Sequence, residues 1–302
     1  MQFYVNGIFP EYNFTITGAS YVGKPRDNTM MYVTGKVAHL IENLYGHRNC
    51  LCFVESGMSV PKEISDSNAV ICCENPAYSY ACFAMKVQRE IRKEEQAEGY
   101  KLTDAGYYTG AGVRIGRNAY IEPNVLIGHG VVIGENAVIM SGSVIKHAVI
   151  GDDFLCNENA VIGDYSFTQA EDGVGNKFRI PAMGGVIIGD HVEVGACNDV
   201  AMGACGDTVL EDYVKLDGLV HIGHEAHLHK NVEITAGAIV AGFSELNERS
   251  YLGVNASIRN RISIGANAVI GMGAVVTKTI EEDMIVAGNP ARPFPTVSGN
   301  KV

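Results

Sequence analysis

The chain has 302 residues, 47% of them hydrophobic, with a mean hydropathy of +0.07, a profile that fits a globular protein of one long or two ordinary domains. Its net charge of -11, from 34 acidic against 23 basic residues, argues against a non-specific grip on nucleic acid or anionic lipid, so an anionic ligand needs local basic sites. No apolar run could span a bilayer, and the opening "MQFYVNGIFPEYNFT" has neither a basic start nor an apolar core, which predicts a cytoplasmic protein without membrane insertion.

The eight cysteines include Cys50/Cys52 and Cys72/Cys73 but no CxxC, and predict buried free thiols in a reducing compartment. Residues 1–105 read as an α/β domain. "VAHLIENLYG" (Val37 to Gly46) has helical spacing and a terminal glycine, "NCLCFVE" and "NAVICCEN" read as strands, and "YACFAMKVQREIRKEEQAEG" reads as a helix with Phe83, Val87 and Ile91 on one face and a stop at Gly99.

From Ile115 the texture changes to a six-residue period. The register runs from Ile115 through Ile145 and slips by one residue to Ile150, Cys156 and Ile162. It resumes at Ile188, Val194 and Val200, then steps without a break from Leu210 to Val276. A second inward position two residues earlier is almost always small or valine, as at Val220, Ala226 and Ala238. A helix cannot put every sixth residue on one face, and a flat strand demands alternation, so short strands meeting at corners satisfy both rules. Three hexads close one triangular turn, residues eighteen apart stack at about 4.8 Å, and the repeats suffice for about eight coils. Residues 106–290 therefore form a rod and 291–302 a tail, while "DYSFTQAEDGVGNKFRIPAMGG" (Asp164 to Gly185) leaves the rod as a long loop of functional character.

Hexads ending in "GAVVTKTIEEDMIVAGNPAR" (Gly273 to Arg292) resemble the hexapeptide-repeat acyltransferases. That resemblance implies a mainly β fold, a left-handed parallel β-helix, and a homotrimer with sites between subunits. Within that group, "FRIPAMGGVIIGDHVEVGACNDVAMGACGDTVLEDYVKLDGLVHIGH" (Phe178 to His224), "ITGASYVGKPRDNTMMYV" and "ENPAYSYACFA" resemble the UDP-3-O-acylglucosamine N-acyltransferases of lipid A synthesis. The resemblance makes 1–105 a nucleotide-sugar-binding domain and lets the Asp164 to Gly185 loop wall a neighbouring subunit's site. It departs where the family carries an aromatic residue and an asparagine for uracil, since this chain has Met31 and Thr34 there, and where a second family histidine is replaced by Arg261. The family also continues into C-terminal helices for acyl carrier protein, whereas this ending resembles the sugar acetyltransferases that use coenzyme A.

Four of the nine histidines fall in "VHIGHEAHLHK" (Val220 to Lys230). His221 and His227 lie on successive faces and cannot share an ion. A constant eighteen-residue step gives stacking partners Gly203 and Ile239 for His221, Gly206 and Gly242 for His224, Val209 and Glu245 for His227, and Glu211 and Asn247 for His229. None is histidine, so no metal is expected. By the resemblance, His224 is the general base and the Gly242 N–H the oxyanion donor for aminolysis of a thioester. Glu225 or Asp217 orients the ring, and His221, Asp217, Met31 and Thr34 touch substrate, while His227 and His229 are surface. Arg259, Arg261, Lys278 and Arg292 are candidates for the phosphates of coenzyme A, with the extended "AGNPAR" segment against its adenine.

The leading expectation is transfer of a short acyl group from acyl-CoA to the amine of a UDP- or dTDP-linked amino sugar, in surface polysaccharide or lipopolysaccharide synthesis. The alternatives are an acyl-carrier-protein-dependent UDP-3-O-acylglucosamine N-acyltransferase, a metal-dependent carbonic anhydrase of the hexapeptide type, and a noncatalytic trimeric scaffold.

Overall fold

The computed structural model describes residues 3–293; most of the expected tail, residues 294–302, lies outside the described residues. The chain forms two compact units. One contains the chain up to Ala97 with Tyr165–Gly184 and Ala204–Gly206, and the other contains Glu98–Asp164, Gly185–Gly203 and the chain from Asp207 on.

The first unit is built on a parallel sheet ordered Gly18–Ala19, Thr29–Val33, Leu51–Glu55, Ala69–Cys73. Alternate side chains feed opposite faces: Met30, Leu51 and Phe53 join Tyr80, Phe83 and Val87 on one side, and Met31, Val33, Cys52 and Val54 join Ile41 and Leu44 on the other. The expected helix beginning at Val37 is a 3-10 segment, Gly35–Leu44, with a kink at Val37. The long helix runs Pro76–Glu98, started by Asn75, whose Oδ1 accepts the Tyr78 N–H at 3.1 Å, with proline at the first position. Its Phe83, Val87 and Ile91 face the core as the spacing requires.

The expected long loop is folded. Gln169–Glu171 and Lys177–Arg179 make an antiparallel hairpin closed by Asp172, and its Ala170 and Ile180 belong to the same core as Phe53. Of the cysteines, all free, Cys50, Cys52 and Cys156 are buried, with burial pushing their thiols up to about 11, 12 and 11; Cys72 and Cys197 are exposed, which corrects the uniform burial expected of them.

The second unit winds as a three-sided coil of short parallel strands, giving two 10-stranded sheets and one 8-stranded sheet. Ile127, Ile139, Leu228, Ile234 and Val240 are buried at the inward positions, with Val220, Ala226 and Ala238 behind them. The coil length is not constant. Tyr120 pairs with Val138, a step of 18, but Val138 pairs with Leu155, a step of 17 that places the one-residue slip at the His147 corner. Across the hairpin Leu155 pairs with Glu193, a step of 38, and Asp199 with His221, a step of 22. Later coils return to 18.

Most corners hold a residue in the left-handed region, often asparagine, as at Asn118, Asn136, Asn231 and Asn255. At one edge Glu135 N–H donates to Asp152, Asp152 N–H to Asp190, and Asp190 N–H to Asp212, so each corner carboxylate caps the coil before it. Gly134, Gly151 and Gly189 make room, because a Cβ at each would lie within 2.4 Å of those carboxylate oxygens. The described residues close with a hairpin of Ile285–Ala287 with Arg292–Pro293, which contains the cis Asn289–Pro290 peptide, and "AGNPAR" is a turn rather than the extended segment expected. Gly288, at φ +91°, supplies that reversal.

Candidate active site

His224 precedes a corner whose left-handed residue is Glu225, at φ 52°. Adjacent strand residues point apart, but this corner turns the carboxylate back, and Glu225 Oε2 lies 2.5 Å from His224 Nδ1. Most corners of this rod adopt such a conformation, so the backbone strain is architectural; the direction it gives Glu225 is what matters. Glu225 is held from below, its N–H donating at 3.0 Å to Oγ1 of the buried Thr208, which itself donates to the Ala201 carbonyl at 2.7 Å. The Glu225 side chain is 9% exposed and that of His224 22%, a half-sheltered pair with the ring's other nitrogen outward of it.

That nitrogen faces Gly242. A Cβ there would lie 2.8 Å from His224 Nε2 and 2.9 Å from the His224 carbonyl, so only glycine lets the next coil come this close. Ala241 and Phe243 donate their N–H groups to Ile258 and His224, while among the described residues the Gly242 N–H meets no acceptor. At equivalent corner positions Lys230 and Ala236 give theirs to Glu211 and Asp217. His224 Nε2 thus lies against a glycine whose backbone donor has no acceptor among the described residues, and a donor and an imidazole nitrogen are the two groups that aminolysis of a thioester uses.

The next steps of this corner ladder are Phe243 and Arg261. Phe243 meets the His224 ring edge to face at 5.3 Å, and the Arg261 guanidinium sits 4.1 Å over the Phe243 ring. Of the four basic candidates Arg261 alone is brought to the His224 corner. Arg259, two residues before Arg261, and Lys278, on the coil after it, are exposed with no side-chain partner among the described residues, and exposed Arg292 bonds the Ala291 carbonyl.

Several expectations need correction. Asp217 does not orient His224; it caps the Gly218 and Ala236 N–H groups and lines a shallow cleft with Glu193, Lys215 and Glu233. His221 stacks on Asp199 rather than Gly203, because a detour that includes Ala204–Gly206 makes that coil four residues longer than eighteen, and its Nδ1 lies 2.8 Å from Asp199 Oδ2. Met31 is 1% exposed inside the sheet's core and offers no surface to a substrate, whereas half-buried Thr34 sits just past the carboxyl end of its strand, ahead of Gly35–Leu44. His227 and His229 are not isolated surface residues: with Glu211 they gather ligand-type atoms within 4.8 Å of one another. A stack without a second histidine still supplies a carboxylate, Glu211, eighteen residues before His229. Thr208 and Asp199 were also missed; Thr208 stood in the inward register, but nothing in its spacing marks a hydroxyl that positions Glu225.

A parallel three-sided coil built from six-residue steps is the architecture of hexapeptide-repeat proteins. Residues 112–147 match the family described as bacterial transferase hexapeptide (six repeats), and residues 248–278 match the hexapeptide repeat of succinyl-transferase. The chain is 34% identical over 152 residues to a UDP-3-O-acylglucosamine N-acyltransferase of Caulobacter sp. (strain K31), covering 50% of this chain and 44% of that one. It is 44% identical over 102 residues to UDP-3-O-acylglucosamine N-acyltransferase 2 of Legionella pneumophila (strain Paris), covering 34% and 29%. The chain thus spans less than half the length of these curated relatives. Among solved structures, a UDP-N-acetylglucosamine acyltransferase of Bacteroides fragilis superimposes with a TM-score of 0.56 at 21% identity, over 64% of this chain and 74% of that one. That likeness gives the fold: a left-handed parallel β-helix, here with an N-terminal α/β region. The chain is a hexapeptide-repeat protein close in sequence to the UDP-3-O-acylglucosamine N-acyltransferases.

Proposed function

We propose that the chain is an N-acyltransferase that moves an acyl group from a thioester to the amine of a UDP-linked 3-O-acylglucosamine. The observation that carries it is the corner itself, where His224 Nε2 lies against Gly242, whose N–H meets no acceptor among the described residues, while Glu225 holds the ring's other nitrogen. The named activity of the Caulobacter and Legionella relatives supports the acceptor. With Nδ1–H donated to Glu225, Nε2 carries the lone pair and takes the proton of the attacking amine. The new N–C bond forms, the carbonyl oxygen gains charge and is met by the Gly242 N–H, and collapse expels the thiolate, which recovers the proton from the imidazolium. General-base assistance of this kind is worth about 10²–10⁴ in rate.

The unit containing Thr34 is taken to hold the UDP group, because Thr34 lies at the carboxyl end of a parallel strand ahead of a helical start, where open α/β sheets bind ligands. The active assembly is taken as a homotrimer with sites between subunits.

For the acyl donor, the relatives favour the lipid A reading over the expected short-chain acyl-CoA. One observation keeps the second reading: Arg259 and Lys278 are exposed cations on successive coils, without a side-chain partner among the described residues, suited to the phosphates of coenzyme A or to the phosphopantetheine of a carrier protein. The test is turnover of UDP-3-O-acylglucosamine with acyl carrier protein thioesters and with acyl-CoA, each against His224→Ala. Product from the parent and a rate reduced about 10²-fold or more in the variant are expected. No product with either donor, or an unaltered rate in the variant, overturns the reading.

A further inference from the structure

Three residues beyond the catalytic corner the same chain builds a second histidine–carboxylate cluster on a flat face of the rod. In the strand His227–Leu228, Leu228 is buried and His227 and His229 flank it, so both imidazoles project outward from one side. Glu211 stands likewise beyond buried Leu210 on the preceding coil, and Val209 pairs with His227 to set the register. The result is convergent. Glu211 Oε1 lies 2.7 Å from His227 Nε2 and 3.0 Å from His229 Nδ1, and the two rings stack with centroids 4.0 Å apart.

The groups behind these three are arranged as they are around bound metals. His229 has its remaining nitrogen, Nε2, 3.0 Å from Glu245 on the following coil, a carboxylate–imidazole pairing that fixes which nitrogen faces Glu211. The second oxygen of Glu211 accepts the Lys230 N–H at 3.1 Å, which orients the carboxylate. The Lys230 ammonium, the cation able to compete for the site, is drawn 5.3 Å over the Tyr213 ring instead.

We propose that Glu211, His227 and His229 form a binding site for a zinc-class divalent cation, with Glu245 as the outer carboxylate. Two imidazoles and one carboxylate are a ligand set that such ions favour, and ligand atoms already within 4.8 Å of one another need little adjustment to reach about 2 Å from a shared ion. An ion there ties successive coils together beside the catalytic corner, and it needs no part in the transfer step.

The test uses tag-free, chelator-stripped chain titrated with Co2+ and followed by visible absorption, then challenged with Zn2+. One Co2+ per chain, with the bands of a nitrogen–oxygen site, and displacement by Zn2+ are expected. His227→Ala and His229→Ala each weaken binding by tenfold or more, and Glu245→Gln, which spares all three ligands, weakens it by about tenfold. His224→Ala leaves it unchanged, so this result stands apart from the acyl-transfer reading. Melting curves in metal-free buffer matching the parent show that the variants are folded. Absence of stoichiometric Co2+ binding by the parent, or binding of equal strength in the folded His227→Ala/His229→Ala double variant, overturns the site.

Discussion

The corner at His224 and the face at His227 use the same side chains to opposite ends. At the corner, a left-handed residue brings sequence neighbours together, so one imidazole is bonded to Glu225 on one nitrogen and keeps the other toward Gly242. On the face, flat strands bring together residues 16 to 18 apart, and two imidazoles share one carboxylate. Position within the hexad, rather than residue type, decides whether an imidazole meets a carboxylate alone, as His224 does, or shares it with a second ring, as His227 and His229 do.

This contrast can be broken at the corner while the face is left alone. Gly242→Ala puts a methyl group against the imidazole and disturbs the unpaired N–H, and the expected loss of transfer rate is on the order of 10²–10³-fold, with Co2+ binding at the face unmoved. A rate within a few-fold of the parent would show that Gly242 is only a packing glycine. Glu225→Gln keeps the shape but not the charge; the base persists with a weaker hold on its orientation and on the imidazolium, so the rate falls on the order of tenfold to a hundredfold. Steady-state rates across pH check this, and a profile superimposable on the parent would assign Glu225 to structure alone. The smallest effect is expected of Thr208→Val, which leaves the Glu225 N–H without its acceptor: about 1–3 kcal/mol in unfolding free energy by denaturant titration, with a modest loss of rate. Unchanged stability would mean that water takes the place of the hydroxyl.

The rod was legible because its signal repeats: an aliphatic residue every sixth position is redundant over many coils, and the buried Ile127, Ile139, Leu228, Ile234 and Val240 sit where the period put them. What the period could not carry was anything that breaks it. Counting by eighteen failed for His221 because a detour of a few residues displaces every later partner, and only backbone pairing reveals Asp199. The direction of Glu225 depends on a single φ angle, and sequence does not state which corner residue adopts it. In the first unit the helical spacing from Val37 was read as an ordinary helix, yet the segment between two strands is tight and 3-10 in geometry. Met31 was assigned by resemblance rather than from its own surroundings; its place in mid-strand, between Met30 and Tyr32 of the opposite face, is what buries it.

The edge built from Asp152, Asp190 and Asp212 bears on how such a rod can diversify. There the acid acts as an oxygen acceptor for the backbone of the coil before it, and acceptance alone does not require ionisation. Along the same kind of edge Asn118 and Asn136 already link coil to coil through neutral amides. Swapping one for the other would retune the electric field along the flank while the winding is conserved. The surplus negative charge of this chain is in that sense an adjustable coat on an indifferent frame, available to select which ligands and neighbours approach.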